Sequence, residues 1–154
     1  MKNLAALFAV FAVAVSAETP QAVVMKNGAE IMAAIIEKGK QKTNPNAPTN
    51  VSLTVRDGYR ISFVRRELPG VPLVHTGDGK ASELHYILDG SLIFVTGGTI
   101  VKTTGGAGVQ GLAIEGGVTH HLTKGDVIFV PDGVAHWYKE ITSPVTYLEV
   151  RFEK

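Results

Sequence analysis

The pattern of hydrophobic and polar positions changes near residue 50 of the chain. Residues 29–38, with the sequence AEIMAAIIEK, place apolar side chains at helical spacing among good helix formers, which predicts one helix. Gly39 fits the C-terminal cap of that helix. Residues 21–25 are predicted to form a short strand, and the polar, proline-containing segment 40–50 is predicted to be a loop.

Beyond residue 50, short β-branched runs alternate with turn signals at roughly eight-to-twelve-residue spacing, which is typical of an all-β barrel or sandwich. The turns are predicted at Asp57-Gly58, Asp89-Gly90, Gly97-Gly98, Gly116-Gly117 and Asp132-Gly133. We predict strands at residues 51–55, 59–66, 71–75, 82–88, 92–96, 99–101, 112–115, 118–122, 127–131, 135–139 and 145–151. One domain is expected at this length.

The first seventeen residues have the pattern of a secretory signal peptide. Lys2 supplies the positively charged N-terminal region, residues 4–15 are apolar, and residues 15–17 are the small-residue cleavage site. The apolar run is shorter than the roughly 20 residues that span a bilayer. We therefore expect a secreted or periplasmic protein that begins at Glu18 and has no membrane association after cleavage. The alternative is an N-terminal core helix.

Charge and cysteine content narrow the classes of partner and metal site. Without Lys2, fourteen basic residues remain of the fifteen in the chain, and they balance fourteen acidic ones. A neutral chain without a basic cluster argues against a nucleic-acid partner. The chain has no cysteine, so any metal must be held by nitrogen and oxygen ligands.

Residues 125–140 contain the most informative motif of the sequence. Residues 127–130 form a short apolar run, which predicts a buried strand that follows the turn glycine Gly125. Pro131-Asp132-Gly133 predicts a tight turn, because proline fixes φ and glycine tolerates positive φ. His136 then returns on the next strand, so that one imidazole lies on a rigid strand beside a turn.

A second group of candidate ligands lies on the strand predicted before Gly90. Since side chains two apart on a strand share a face, Glu83, His85 and Ile87 point to one side. By the same rule His136 shares a face with Tyr138, and His75 comes from a third strand. Whether these side chains converge depends on how the barrel is connected.

The two segments resemble the motifs of the cupins. The second cupin motif has glycine, five residues, proline, one residue, glycine, two residues, histidine, three residues and usually asparagine. Gly125, Pro131, Gly133 and His136 match it, whereas Glu140 replaces the asparagine. The first motif has two histidines one residue apart, then glutamate, six residues and glycine. Its end matches Glu83 and Gly90; at its start, either Gly77 replaces the second histidine after His75, or Leu73 replaces the first histidine before it.

The resemblance covers roughly residues 59–151 and implies a fold and a metal site. The expected fold is all-β, a cupin-type double-stranded β-helix or jelly-roll barrel over residues 51–154. Residues 18–50 form a short strand-helix extension that follows the signal peptide, residues 1–17. The implied cofactor is one divalent transition metal (Fe, Mn, Ni, Cu or Zn), held by His75, Glu83, His85 and His136. His85 has an alternative role as a general base beside the metal.

By the same resemblance, we expect an exported, metal-dependent small cupin that acts on a small organic molecule. Its chemistry would be of the oxygenase, decarboxylase, isomerase or lyase type. The alternative is a non-catalytic binding or structural cupin with a degenerate metal site, and a homodimer is consistent with the analogy to small cupins. Two further groups are interpreted as surface residues. The first is Arg60, Arg65 and Arg66 on one strand, which could also bind an anionic substrate, and the second is His120 and His121.

Overall fold

The computed structural model describes residues 24–75, 80–101 and 109–153. Within these ranges the chain forms one helix and ten strands. The elements are α1 (Gly28–Lys40), β1 (Thr49–Arg56), β2 (Tyr59–Arg66), β3 (Leu73–Val74), β4 (Ala81–Thr96), β5 (Thr99–Val101), β6 (Val109–Gln110), β7 (Ala113–Glu115), β8 (Val118–Thr123), β9 (Val127–Val130) and β10 (His136–Glu153). The predicted all-β class is confirmed.

Antiparallel pairing between β4 and β10 forms the centre of the sheet. β10 also pairs with β2 and β3, while β4 also pairs with β8 and β9. The main sheet continues from β2 to β1 and from β3 to β6, and β5 pairs with β7 in a separate two-stranded sheet. This antiparallel arrangement is consistent with the predicted jelly-roll barrel.

Each of the two central strands is long and bent, and it pairs with different strands along its length. The first half of β4 pairs with β9 and its second half pairs with β8, with Gly90 between them. Gly90 has φ +83°, and a Cβ atom there would overlap the backbone of Pro144. Asp89-Gly90 is therefore a bend within one strand, and the prediction of two strands, 82–88 and 92–96, was wrong in that respect. Likewise, 135–139 and 145–151 belong to one strand, β10, whose register shifts absorb the bend.

Alternation along the strands separates a barrel interior from an outer surface. Glu83, His85 and Ile87 are all buried, while Tyr86 is exposed, as the period-two pattern predicts. The buried core comprises Val64, Ile87, Leu92, Phe94, Leu122, Val130, Tyr138, Val145 and Tyr147. Polar residues thus share the inner face with an aromatic and aliphatic core.

The helix packs outside the barrel. Ile31 and Ile35 contact Val51 of β1, and Phe63 of β2 packs against this cluster. Phe63 is therefore part of the packing under the helix. None of the helical segments among the described residues has the length and apolar character that crossing a bilayer requires.

The ends of the N-terminal elements differ from the sequence prediction. The helix continues through Gly39 to Lys40, and Gln41 occupies the C-cap. A Glu37–Lys40 ion pair of 3.1 Å and the favourable position of lysines near a helix C-terminus support these two additional residues. Strand β1 begins at Thr49, inside the predicted 40–50 loop. Val24 and Met25 are not in a strand, and residues 21–23 lie outside the described ranges, as does the predicted signal peptide.

Packing of the helix on the barrel gives a direct stability prediction. Ile35 is 1% exposed, whereas its neighbour Ile36 is 57% exposed. Ile35→Ala should lower the free energy of unfolding by about 2–5 kcal/mol, because it removes buried methyl groups and leaves a cavity. Ile36→Ala should change it by less than about 1 kcal/mol. Urea unfolding measures both, and equal losses in the two variants would contradict the packing described for α1.

Candidate metal centre

Three imidazole rings surround the carboxylate of Glu83. His75 Nε2 lies 3.0 Å from Glu83 Oε1. His85 Nε2 and His136 Nε2 lie 3.3 Å and 3.4 Å from Glu83 Oε2. Glu83 is only 4% exposed, so this carboxylate is compensated inside the barrel by the histidine nitrogens.

Strand pairing explains why these residues meet. Glu83 and His85 lie on the inner face of β4, and His136 is the first residue of β10. His136 pairs with Leu73 of β3, which brings His75, just beyond the end of β3, next to it. The ring centroids of His75 and His136 are 5.6 Å apart. The proximity therefore depends on long-range register between strands that are distant in sequence.

The pKa shifts keep two of these groups in forms that bind cations. Burial lowers the pKa of His136 to about 4, because the protonated ring is poorly solvated there, so the imidazole is neutral at pH 7. Burial alone would raise the pKa of Glu83, but the hydrogen bonds from His75 and His85 and the nearby imidazoles outweigh it. The pKa of Glu83 therefore lies well below its usual range, and the carboxylate is ionised.

The described residues contain two groups whose ligand atoms all lie within 4.8 Å of one another. The first is His75, Glu83 and His136; the second is Glu83, His85 and Glu149. The four predicted ligands are thus brought to one region, but His85 belongs to the second group and not to the first. Imidazole nitrogens together with a carboxylate are a donor set that suits a divalent transition metal.

Aromatic side chains fix the position of His85. The hydroxyl of Tyr138 is 3.2 Å from His85 Nδ1, and the rings of Tyr147 and Phe94 also pack against His85. Burial raises the pKa of Tyr147 to about 12 and that of Tyr138 well above its usual range. Both phenols therefore remain protonated at neutral pH, and Tyr138 lies in the barrel interior as expected.

Arg66 lies against this aromatic group and is not a solvated edge residue. Its Nε donates a hydrogen bond of 3.2 Å to the Tyr147 hydroxyl. Its guanidinium carbon lies 4.1 Å from the centroid of the Tyr138 ring. The interpretation of Arg66 as a solvated residue was wrong, because cation–π packing and this hydrogen bond hold it over the tyrosines.

Two charged residues of the site were missed in the sequence. Glu149 and Arg151 of β10 lie directly opposite His85 and Glu83 of β4, respectively. Glu149 Oε2 is 3.8 Å from His85 Nε2, and Arg151 Nη2 is 3.2 Å from His75 Nδ1. Burial and the nearby Glu83 charge raise the pKa of Glu149. Because Tyr147, Glu149 and Arg151 are two residues apart on one strand, period-two alternation could have predicted that both charged side chains share the face of Tyr147.

A family model described as Cupin matches residues 37–150. The chain belongs to the cupin family. No curated protein matches the sequence.

Solved structures resemble this chain at low sequence identity. The cupin domain of Cnp3 from Schizosaccharomyces pombe is 14% identical, with 70% of this chain and 65% of that chain covered and a TM-score of 0.49. TT1209 from Thermus thermophilus is 15% identical, with 85% and 98% covered and a TM-score of 0.53. A Klebsiella pneumoniae protein with a double-stranded β-helix domain is 12% identical, with 77% and 86% covered and a TM-score of 0.51. The two structures with TM-scores above 0.5 confirm the predicted double-stranded β-helix.

The other residues singled out in the sequence lie outside the group around Glu83 or outside the described residues. Glu140, at the usual asparagine position, is exposed, and Gly77 lies outside the described residues. Trp137 Nε1 donates a hydrogen bond of 2.8 Å to the carbonyl of Gly70. His120 Nε2 is 2.8 Å from Thr96 Oγ1, whereas His121 is exposed. These last two residues are outside the group around Glu83.

Proposed function

We propose that this cupin is a metal-dependent enzyme that acts on a small organic molecule bound in its barrel. One divalent transition metal (Fe, Mn, Ni, Cu or Zn) would be held by His75, Glu83 and His136. The observation that carries the proposal is the convergence of three imidazole nitrogens, at 3.0 to 3.4 Å, on one buried carboxylate. Cupins commonly bind metals and small molecules, and these donors suit that use.

The chemistry of the donors fits the proposed ion. His136 is neutral and Glu83 is ionised at pH 7, which are the protonation states that metal ligation requires. Three protein ligands leave coordination positions for a substrate. When bound, the metal would supply Lewis-acid polarisation of a substrate oxygen.

We assign His85 a role beside the metal, as a general acid or base. Its Nδ1 lies 3.2 Å from the hydroxyl of Tyr138, and its Nε2 lies 3.3 Å from Glu83 Oε2 and 3.8 Å from Glu149 Oε2. An imidazole held in this way and paired with a carboxylate suits proton transfer to and from a bound molecule. Among the four expected reaction types, this pair favours isomerase or lyase chemistry, in which a proton moves on the substrate.

Metal content of purified protein tests the assignment of ligands. We expect near-stoichiometric metal in the wild type and in His121→Ala, which removes an exposed histidine away from the site. His136→Ala should reduce metal affinity by roughly tenfold or more, because it removes a proposed ligand. His85→Ala should retain the metal. Mass spectrometry of protein prepared without chelator measures this.

Two results of that measurement would count against the proposal. Equal metal content in His136→Ala and the wild type would contradict the proposed metal centre and favour the alternative, a non-catalytic binding cupin. Loss of metal in His85→Ala as large as in His136→Ala would make His85 a ligand and not a proton carrier. Circular dichroism of each variant establishes that the barrel is folded.

We also propose that the protein is exported to the periplasm or secreted. The support is the charge, apolar run and small-residue site of residues 1–17. Intact mass of the protein recovered from outside the cytoplasm should correspond to a chain that begins at Glu18. Ala17→Asp should yield the uncleaved chain, because the cleavage site requires small residues. A full-length wild-type mass would contradict export by this route.

The homodimer expected from the sequence remains a prediction.

A further inference from the structure

Two arginines lie side by side on the inner face near the proposed metal centre. Arg60 of β2 and Arg151 of β10 are directly opposite each other in the strand register. Arg60 has the same parity on β2 as Ser62 and Val64, which are buried in the barrel. Arg151 Nη1 lies 3.7 Å from Glu83 Oε1, so this arginine reaches the group around Glu83.

Both arginines have an unused hydrogen-bond donor. The Nε atoms of Arg60 and Arg151 are buried and have no hydrogen-bond partner. Glu153 Oε1 is 3.3 Å from Arg151 Nε and 3.8 Å from Arg60 Nη2, but it does not align with either Nε as an acceptor. Buried donors are almost always paired, so two neighbouring exceptions indicate a missing acceptor.

The surrounding charges indicate what kind of acceptor is missing. The carboxylates nearby are Glu83, Glu149 and Glu153, and the guanidinium groups are those of Arg60, Arg151 and Arg66, the last of which interacts electrostatically with Glu149. A divalent metal added to this set would leave it with a net positive charge. An anion with two acceptor oxygens would offset that charge and could accept from both Nε atoms. The side chains of Arg60 and Arg151 are 31% and 19% exposed, so part of each side chain contacts solvent although its Nε atom is buried.

We infer that Arg60 and Arg151 form a carboxylate-binding subsite, and that the substrate is a small organic acid. The inference rests on the proposed function, because the charge balance includes the metal. The planar guanidinium fork matches a carboxylate, and a charge-assisted hydrogen bond to it is stronger than a neutral one.

Acetate titration of the metal-loaded protein, followed by NMR of the arginine Nε–H groups, tests the subsite. In the wild type, acetate should shift the resonances of Arg60 and Arg151. Arg60→Gln should weaken acetate binding by roughly tenfold or more, because it removes charged donors. Arg60→Lys should bind with intermediate affinity, since it keeps the charge but not the fork. Arg56→Gln, which removes an exposed arginine of β1, is the matched control and should bind as the wild type does.

Metal content of the same samples separates failure of this inference from failure of the proposed function. Unchanged acetate affinity in Arg60→Gln with metal retained would overturn the subsite and leave the metal centre intact. Inorganic phosphate is titrated in parallel, and tighter, Arg60-dependent binding of phosphate would overturn the assignment to carboxylates. Absence of metal from the wild type, with no acetate-induced shift, would overturn both proposals.

Discussion

The burial of one ionised carboxylate is the constraint on which the interior of this cupin depends. A carboxylate removed from water is costly unless donors or cations surround it. Glu83 is buried, and its environment consists of three imidazole rings and the guanidinium group of Arg151. Each of these side chains comes from a strand or strand end that must be in the correct register. The charge of Glu83 therefore links the fold to the chemistry of the site.

Strand geometry makes this convergence possible. β4 supplies Glu83 and His85 from its first half and Phe94 from its second, and a bend at Gly90 separates the halves. A side chain at Gly90 would overlap the backbone of Pro144, so the close approach of β4 and β10 needs a glycine there. The glycine that ends the first cupin motif thus has a structural role at the bend, while the glutamate supplies the chemistry.

Local patterns predicted much of this arrangement. Alternation correctly placed Glu83 and His85 on one face, and the proline turn correctly returned His136 on a following strand. The continuity of β4 could not be predicted locally, because an Asp-Gly pair is equally typical of a turn and of a bend. The continuity of β10 depends on register shifts in its pairing with β4, which are a long-range property. Glu149 and Arg151 were missed because charged residues on a strand usually face solvent. Their inward position follows from pairing with β4, which is a long-range property.

The location of the bound metal tests the central claim most directly. Crystals of the full metal-loaded protein, measured at the absorption edge of the metal it retains, give the ion's position by anomalous diffraction. We expect one peak, with His75, Glu83 and His136 at about 2.0–2.2 Å, the usual range for nitrogen and carboxylate ligands. A peak coordinated by His85 and Glu149 instead, or no peak near Glu83, would contradict it.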